Sequence, residues 1–533
     1  MQETGAASAA EVARALQEPL KLANALPLPL AMHFTEYALA ASDEPVIRTA
    51  LSRDLQAQAE RLVRQHVDAL GAQGVTNAAA VVLDNQTCRV LALVGSADYW
   101  EPHSGAVNGA LAYRQPGSAL KPFTYALAFE RGDTPLTPVA DIETRWGPVG
   151  KPLFMPKNFN ESFAGPVLMG DALGRSLNVP AVRVAASLPH GALLDKLHEA
   201  GFALPRGADH YGLGLTLGNG EVTLVELAQA YALFARHGVG CRATPLVAPQ
   251  PAGARVFSER TAALITGVLS DESLRVQAFG PGNALLLGFP VAVKTGTSSD
   301  FHDNWAVGYT ERVTVAVWSG DFQNRPLQHL AAAAGAGPLF HKLMKLAAGR
   351  AAPLAPSGLA EITVCAASGK QPGRFCPRLR TVRAPIDAAP REACPWHRAL
   401  FIDKRNGLLA GPGCPQGEER AFEVLPPEFA AWQKDNPGRA PPRRYSPLCP
   451  AAGAQQGAVV ITWPRPGEVF LLEPGYAPAT QTLRLAAEAD ADVRFMLDGA
   501  PLASSDWPLT RGAHVVQAVS GAVRSTPVAF EVR

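Results

Sequence analysis

Apolar and polar positions recur along this chain in two periods, and the places where one period gives way to the other divide it into units. From Leu51 to Leu70 the residues Leu51, Leu55, Ala59, Leu62, Val63, Val67 and Leu70 fall at helical spacing, which predicts one amphipathic helix. The period then shortens. Residues 78–83 and 89–94 are short apolar runs separated by Asp84-Asn85-Gln86-Thr87, and they predict a β-hairpin. Helices are expected again over Phe123–Phe129, over Met169–Leu177, from the capping box Thr223/Glu226 to Arg236, and from the cap Ser258 to Leu269. Pro180 disfavours helical geometry in the residue before it, so Ser176-Leu177-Asn178 is expected on a turn between two helices. A second hairpin, 304–309 and 313–318 around Thr310-Glu311-Arg312, follows a strand that leads through Val291 and Val293 into Lys294. The fold class expected is α+β, with an antiparallel sheet of about five strands and helices packed around it.

Outside that unit the pattern weakens. A short helix is expected from Ser8 to Leu20 on Val12, Ala15 and Leu16, followed by a Leu-Pro-Leu-Pro-Leu linker. The loop-rich stretch 133–166 carries Trp146, Phe154, Phe159 and Phe163, which suit a cleft wall or a long irregular connection. Short apolar runs at 459–463, 482–485, 493–497, 514–519 and 528–532, with turn residues between them, predict a β-sandwich of immunoglobulin type. The resulting division is 1–50 linker, 51–352 α+β unit, 353–454 connecting segment and 455–533 sandwich.

Composition narrows the function classes. The 533 residues hold 48 basic and 47 acidic side chains, so no overall field attracts nucleic acid. No apolar run reaches the ~18 residues of a transmembrane helix, and the start lacks the basic and apolar regions of a signal peptide. Glycines 212, 214, 218 and 220 form no G-x-G-x-x-G ahead of a helix, which excludes a nucleotide site and leaves them as scaffold. No cofactor is expected. Of seven cysteines, Cys88 and Cys241 sit in apolar or strand-like surroundings and read as inert core residues. Cys365, Cys376, Cys394, Cys414 and Cys449 crowd into one Pro- and Arg-rich segment that needs staples. Disulfides fit, with one cysteine left over or joined to an outlier. Zinc is the rival, since Cys394-Pro395-Trp396-His397 offers two ligands, but no C-x-x-C is present and no metal is assigned.

The chemistry lies in three short polar constellations. In Gln115-Pro116-Gly117-Ser118-Ala119-Leu120-Lys121-Pro122 the proline and glycine break the preceding chain, and Ser118 falls at a helix start with Lys121 three residues on, within reach of its hydroxyl. A serine is a weak nucleophile without a base, and a lysine serves as base only when burial and positive potential keep it neutral. Alone, the pattern describes a helix cap beside a solvated lysine. Ser176 and Asn178 can face one cavity from their turn. Lys294-Thr295-Gly296-Thr297 ends a strand, where Gly296 lets a ligand backbone approach closely.

S-x-x-K, S-x-N and K-T-G each occur at these positions only, in the order found in penicillin-recognising serine enzymes. Together with Asn77-Ala-Ala-Ala-Val-Val, Gly95-Ser-Ala-Asp, Pro156-Lys-Asn-Phe-Asn160 and Arg175-Ser-Leu-Asn-Val-Pro-Ala-Val182, they resemble the transpeptidase domain of class A penicillin-binding proteins, most closely the 1C type. The Cys/Pro-rich segment and terminal sandwich fit that type. The resemblance implies a membrane anchor and glycosyltransferase domain ahead of this segment. Both are missing from the chain, so glycan polymerisation is not expected of it.

The resemblance also implies roles. Ser118 would attack the bond between two terminal D-alanines of a peptidoglycan stem peptide, and Lys121 would accept its proton. Ser176, with Lys121 and Lys294, would relay a proton to the leaving D-alanine. Asn178 would hold the donor amide, while Lys294, Thr295 and Thr297 would bind the terminal carboxylate beside Gly296. Backbone N–H groups of Ser118 and Thr297 would form the oxyanion hole. β-Lactams would acylate Ser118 and leave slowly. Partners implied are stem peptides, β-lactams, and a separate glycosyltransferase or other cell-wall proteins reached through the sandwich; the location implied is the periplasm or envelope of a Gram-negative-type bacterium. Two alternatives stay open: a D,D-carboxypeptidase or β-lactamase, the latter needing a water-activating glutamate such as Glu161, and an inactive penicillin-binding scaffold or sensor.

Overall fold

The computed structural model describes residues 8–17, 30–146, 154–249, 251–349, 354, 358–411, 413–438, 440–442, 444–450, 459–464, 466–470, 472, 481–489 and 492–532. Two helices open it, α1 (Ala9–Gln17) and α2 (Met32–Leu39), and most of the Leu-Pro linker between them lies outside the described residues. The long helix α3 (Arg53–Leu70) leads into the hairpin β1 (Asn77–Asp84) and β2 (Val90–Val94). Next come α4 (Lys121–Glu130), β3 (Pro138–Asp141), β4 (Gly165–Leu168), α5 (Met169–Gly174), α6 (Asn178–Ser187), α7 (Ala192–Glu199), α8 (Ala208–Tyr211), α9 (Leu224–Ala235), α10 (Glu259–Leu269) and α11 (Glu272–Phe279). The unit closes with β5 (Ala292–Thr297), β6 (Asp303–Tyr309), β7 (Val313–Gly320) and α12 (Ala336–Ala348).

Five strands form one antiparallel sheet in the order β2-β1-β7-β6-β5, as the sequence led us to expect. Its two faces are buried by different helices, because alternate residues of each strand point to opposite sides. Ala79, Val81, Leu83, Trp305, Val307, Ala316 and Trp318 pack with α4, α9 and α10. Ala80, Val82, Val293, Val315 and Val317 pack on Ala59 and Val63 of α3 and on Leu339, Phe340 and Leu343 of α12. Such two-sided cover explains why these strands read as nearly continuous apolar runs. The first of these cores also draws on Ala31, Phe34 and Ala38, ahead of position 51.

The connecting segment forms two antiparallel pairs, β8 (Ala360–Cys365) with β9 (Leu379–Ala384) and β10 (His397–Asp403) with β11 (Gly417–Glu423), then α13 (Ala430–Asp435). Arg380 on β9 ties it to the large unit through ion pairs with Asp171 (2.9 Å) and Asp271 (2.6 Å). The boundaries placed at 352/353 and 454/455 fall outside the described residues. Beyond them, strands at Val460–Trp463, Thr482–Arg484, Arg494–Leu497, Gly512–Ser520 and Val528–Val532 stand where expected. They join a six-stranded sheet and two strand pairs around one core that includes Leu483, Phe495, Trp507, Val516 and Phe530.

The cysteine expectations need correction. Cys88 and Cys241 are joined in a disulfide across 153 residues, because the β1–β2 turn abuts the chain leaving α9. Neither local pattern carries a trace of a partner so distant. In the connecting segment only Cys414 and Cys449 pair, whereas Cys365, Cys376 and Cys394 are free thiols.

Candidate active site

The site forms where the chain entering α4, the α5–α6 turn and the edge strand β5 meet. Ser118 lies on a short 3-10 turn, Gly117–Leu120, that runs into α4, so it is half-buried at a helix start. Four contacts bolt that turn in place. Trp305 on β6 donates its indole N–H to Gln115 O (2.9 Å), and the Tyr231 hydroxyl on α9 donates to Ala119 O (2.7 Å). Gly117 holds a left-handed backbone (φ 54°) with its Cα against the Thr297 backbone, and Gly218 packs on its other side. A side chain at 117 would be strained in that conformation and would collide with Thr297 O.

Gly296 receives a different explanation from the one its sequence context suggested. What a Cβ there would meet is Pro116 O and Ala119, so the missing side chain seats β5 against the Ser118 turn. Alternation along β5 puts Gly296 on this inner face in register with Ala292 and Lys294. The Thr295 carbonyl accepts from Lys294 Nζ (2.9 Å). At the strand end Thr297 Oγ1 accepts from Ala332 N–H (3.2 Å).

Both lysines are buried. Lys121 Nζ donates to Ser176 O (2.7 Å) and Asn178 Oδ1 (2.6 Å), and it forms no hydrogen bond with the Ser118 hydroxyl. Lys294 Nζ donates to Ser176 Oγ (2.7 Å). Ser176 sits between them in a left-handed conformation (φ 59°), a strain of about 1–3 kcal/mol that the surrounding turn must hold. Burial pushes Lys121 well below the usual lysine range, the nearby Lys294 charge pushes the same way, and Asp141 opposes both. Burial alone lowers Lys294 to about 7.

Asp141 and Asn158 were not foreseen as parts of the site. Asn158 Nδ2 donates to both oxygens of Asp141 (2.8 and 3.0 Å), while its Oδ1 accepts from the backbone N–H groups of Asn178 (2.8 Å) and Val179 (3.3 Å). One amide thus caps the start of α6 and fixes Asn178. Burial raises the Asp141 carboxyl above its ordinary value despite donors from Asn158 and Ala164 N–H. Asn158 lay inside a stretch already notable for its resemblance; Asp141 gave no signal beyond being an acid in an apolar run. Nearby, Asn178 Nδ2 donates to Lys157 O (2.7 Å), and Phe159 meets Phe301 edge to face across 5.8 Å. Glu161 pairs with Lys157 at the surface (3.8 Å). His302 bonds Asn324 O, and Asp303 is buried among Ser298, Trp318 and Arg114, so both are structural.

Residues 78–345 match the penicillin binding protein transpeptidase domain, and the chain belongs to that family. It is 30% identical to penicillin-binding protein 1C of Escherichia coli over 93% of its own length, so the similarity runs well past the transpeptidase unit; it spans 66% of that relative's length. Its fold is similar to that of penicillin-binding protein 1A from Haemophilus influenzae (TM-score 0.56, 18% identity, 74% of this chain and 81% of that one). It is also similar in fold to the PonA1 protein of Mycobacterium tuberculosis in complex with penicillin V (TM-score 0.50, 22% identity, 60% and 94%). Among the described residues no helix is long and apolar enough to cross a membrane.

Proposed function

We propose that the chain is a serine D,D-transpeptidase that cross-links peptidoglycan stem peptides through a Ser118 acyl-enzyme and is inhibited covalently by β-lactams. The observation that carries this is the environment of Lys121. A neutral amine has two hydrogens and one lone pair, and Ser176 O and Asn178 Oδ1 take the two hydrogens. The lone pair is left for the proton of Ser118, one helical turn away. Burial and the Lys294 charge keep the amine neutral, as a base requires.

The steps then balance. Ser118 Oγ gives its proton to Lys121 and attacks the carbonyl between the terminal D-alanines, with the developing oxyanion at the N–H groups of Ser118 and Thr297. The C–N bond breaks, and the departing D-alanine amine takes its proton from Lys121 through Ser176, whose Oγ is held by Lys294. Lys294, with Thr295 and Thr297, would bind the substrate carboxylate, and Asn178 the donor amide. An amine of a second stem attacks the ester carbonyl and forms the cross-link, its proton passing through neutral Lys121 to Ser118 Oγ as the C–O bond breaks. A β-lactam follows the first half only, since its leaving amine stays tethered after ring opening. The implied setting is the periplasmic face of a cell envelope, with the C-terminal sheets available to cell-wall partners.

The test supplies a D-Ala-D-Ala-terminated pentapeptide donor with an amine acceptor and resolves products by mass. Acceptor-linked product that vanishes in Ser118→Ala supports the proposal. Loss of D-alanine to water alone, at any acceptor concentration, would turn it to the carboxypeptidase reading.

A further inference from the structure

The three free cysteines of the connecting segment do not lie apart. Cys365 ends β8, Cys376 sits in the loop before β9, Cys394 precedes β10, and His397 is the first residue of β10. One ligand atom from each of the four lies within 4.8 Å of the others. His397 Nδ1 is 3.3 Å from Cys365 Sγ and 3.2 Å from Cys394 Sγ. A tetrahedral ion with Zn–S bonds of ~2.3 Å and a Zn–N bond of ~2.0 Å separates sulfur from nitrogen by roughly 3.5 Å, so these edges match.

Second contacts point the same way. His397 Nε2 lies 3.1 Å from Glu423 Oε1, which orients the ring with Nδ1 toward the sulfurs, the usual support of a metal-bound imidazole. Gly373 N–H donates to Cys376 Sγ (3.3 Å), a contact that fixes the position of this sulfur. The backbone is equally prepared. Cys365 N–H bonds Lys370 O, Cys394 N–H bonds Gln371 O, and Gln371 bridges to Ala393, so the loops carrying the ligands are stitched together. The local apolar cluster is small, Cys365, Ala367 and Cys394 with Cys376 and Trp396 beside them, and cannot hold these loops by burial alone. Among the described residues the other group of this kind, Asp403 with Cys414 and Cys449, already has its sulfurs joined to each other.

We infer that Cys365, Cys376, Cys394 and His397 bind one structural zinc ion. Three sulfurs and an imidazole are a soft, closed, four-coordinate set that selects zinc and leaves no position open for substrate. Binding displaces three thiol protons and yields three thiolates around the ion. The ion would clamp the strand pairs that carry Arg380 onto Asp171 and Asp271 of the transpeptidase unit. The inference is independent of the Ser118 chemistry.

The test is metal analysis of the full chain purified without chelator, with a parallel sample reduced, stripped and reloaded with cobalt(II). Expected are one zinc per chain, the absorption of tetrahedral sulfur-ligated cobalt, and at least a tenfold loss of bound metal in Cys376→Ser and His397→Gln, with Cys414→Ser unaffected. Should a variant fail to fold, the stoichiometry and cobalt spectrum of the unaltered chain decide alone. A reduced chain that takes up neither ion, or a purified chain without metal whose intact mass shows a disulfide among the three cysteines, would overturn the inference.

Discussion

Replacing Gly296 by alanine separates two explanations of that glycine. If it exists to admit a ligand, the added methyl hinders substrate and leaves the folded chain untouched. The structure instead drives the new Cβ into Pro116 O, with Ala119 Cβ and N at 3.2 Å closing the other exits. The obstacle is backbone on both sides, so no rotamer relieves it. The Ser118 turn and β5 must therefore separate by on the order of 1 Å, and a displacement of that size beside reacting atoms can cost ~100-fold in rate. Overpacking of this kind costs about 1–3 kcal/mol of stability, or roughly 3–10 °C in the unfolding midpoint for a unit of this size. The assay is the second-order acylation rate with a fluorescent penicillin, beside a thermal melt. We expect both to fall. An unchanged midpoint with acylation within about threefold of the parent would refute the seating argument.

Asn158→Ala removes the donor to both Asp141 oxygens and the cap on Asn178 and Val179, so a loss of about 2–4 kcal/mol in denaturant unfolding is expected, with acylation slowed at least tenfold; an unaltered acylation rate would remove Asn158 from the site. Lys294 is held near about 7 in the folded chain and titrates near ~10.4 when unfolded, so the unfolded chain binds more protons between those values and stability should rise with pH across that window. Lys294→Met should flatten the rise, measured as unfolding free energy at about pH 7 and about pH 9; an unchanged slope would contradict the burial argument. Cys88→Ser should cost about 2–4 kcal/mol without affecting the penicillin reaction, and mapping of alkylated peptides should find the parent Cys88 and Cys241 unmodified before reduction.

What could be read from the sequence was whatever is set by local period and spacing. The two hairpins, the capping box at Thr223 and the turn at Ser176-Leu177-Asn178 all follow from neighbours in the chain. Three polar constellations were legible because each is only a few residues long. The electrostatics were not legible, because the burial of Lys121 and Lys294 is created by packing among α4, α6 and β5. For the same reason Asp141, Asn158 and Tyr231 carried no warning: each reaches the site through a partner 17 or more residues away. Gly218, read as scaffold, packs on the Ser118 turn. The cysteines mark the clearest limit, since the Cys88 bond spans 153 residues and the Cys365–His397 cluster gathers its members from separate strands without a C-x-x-C.

The central claim is that Ser118 is the nucleophile, made so by a buried neutral lysine. Intact-mass spectrometry after incubation with benzylpenicillin, on the chain and on Ser118→Ala, tests it most directly. We expect a single slowly released adduct carrying the mass of the whole drug, mapped to the peptide containing Ser118 and absent from the variant. No adduct on the parent chain, or one that persists in Ser118→Ala, would contradict the account.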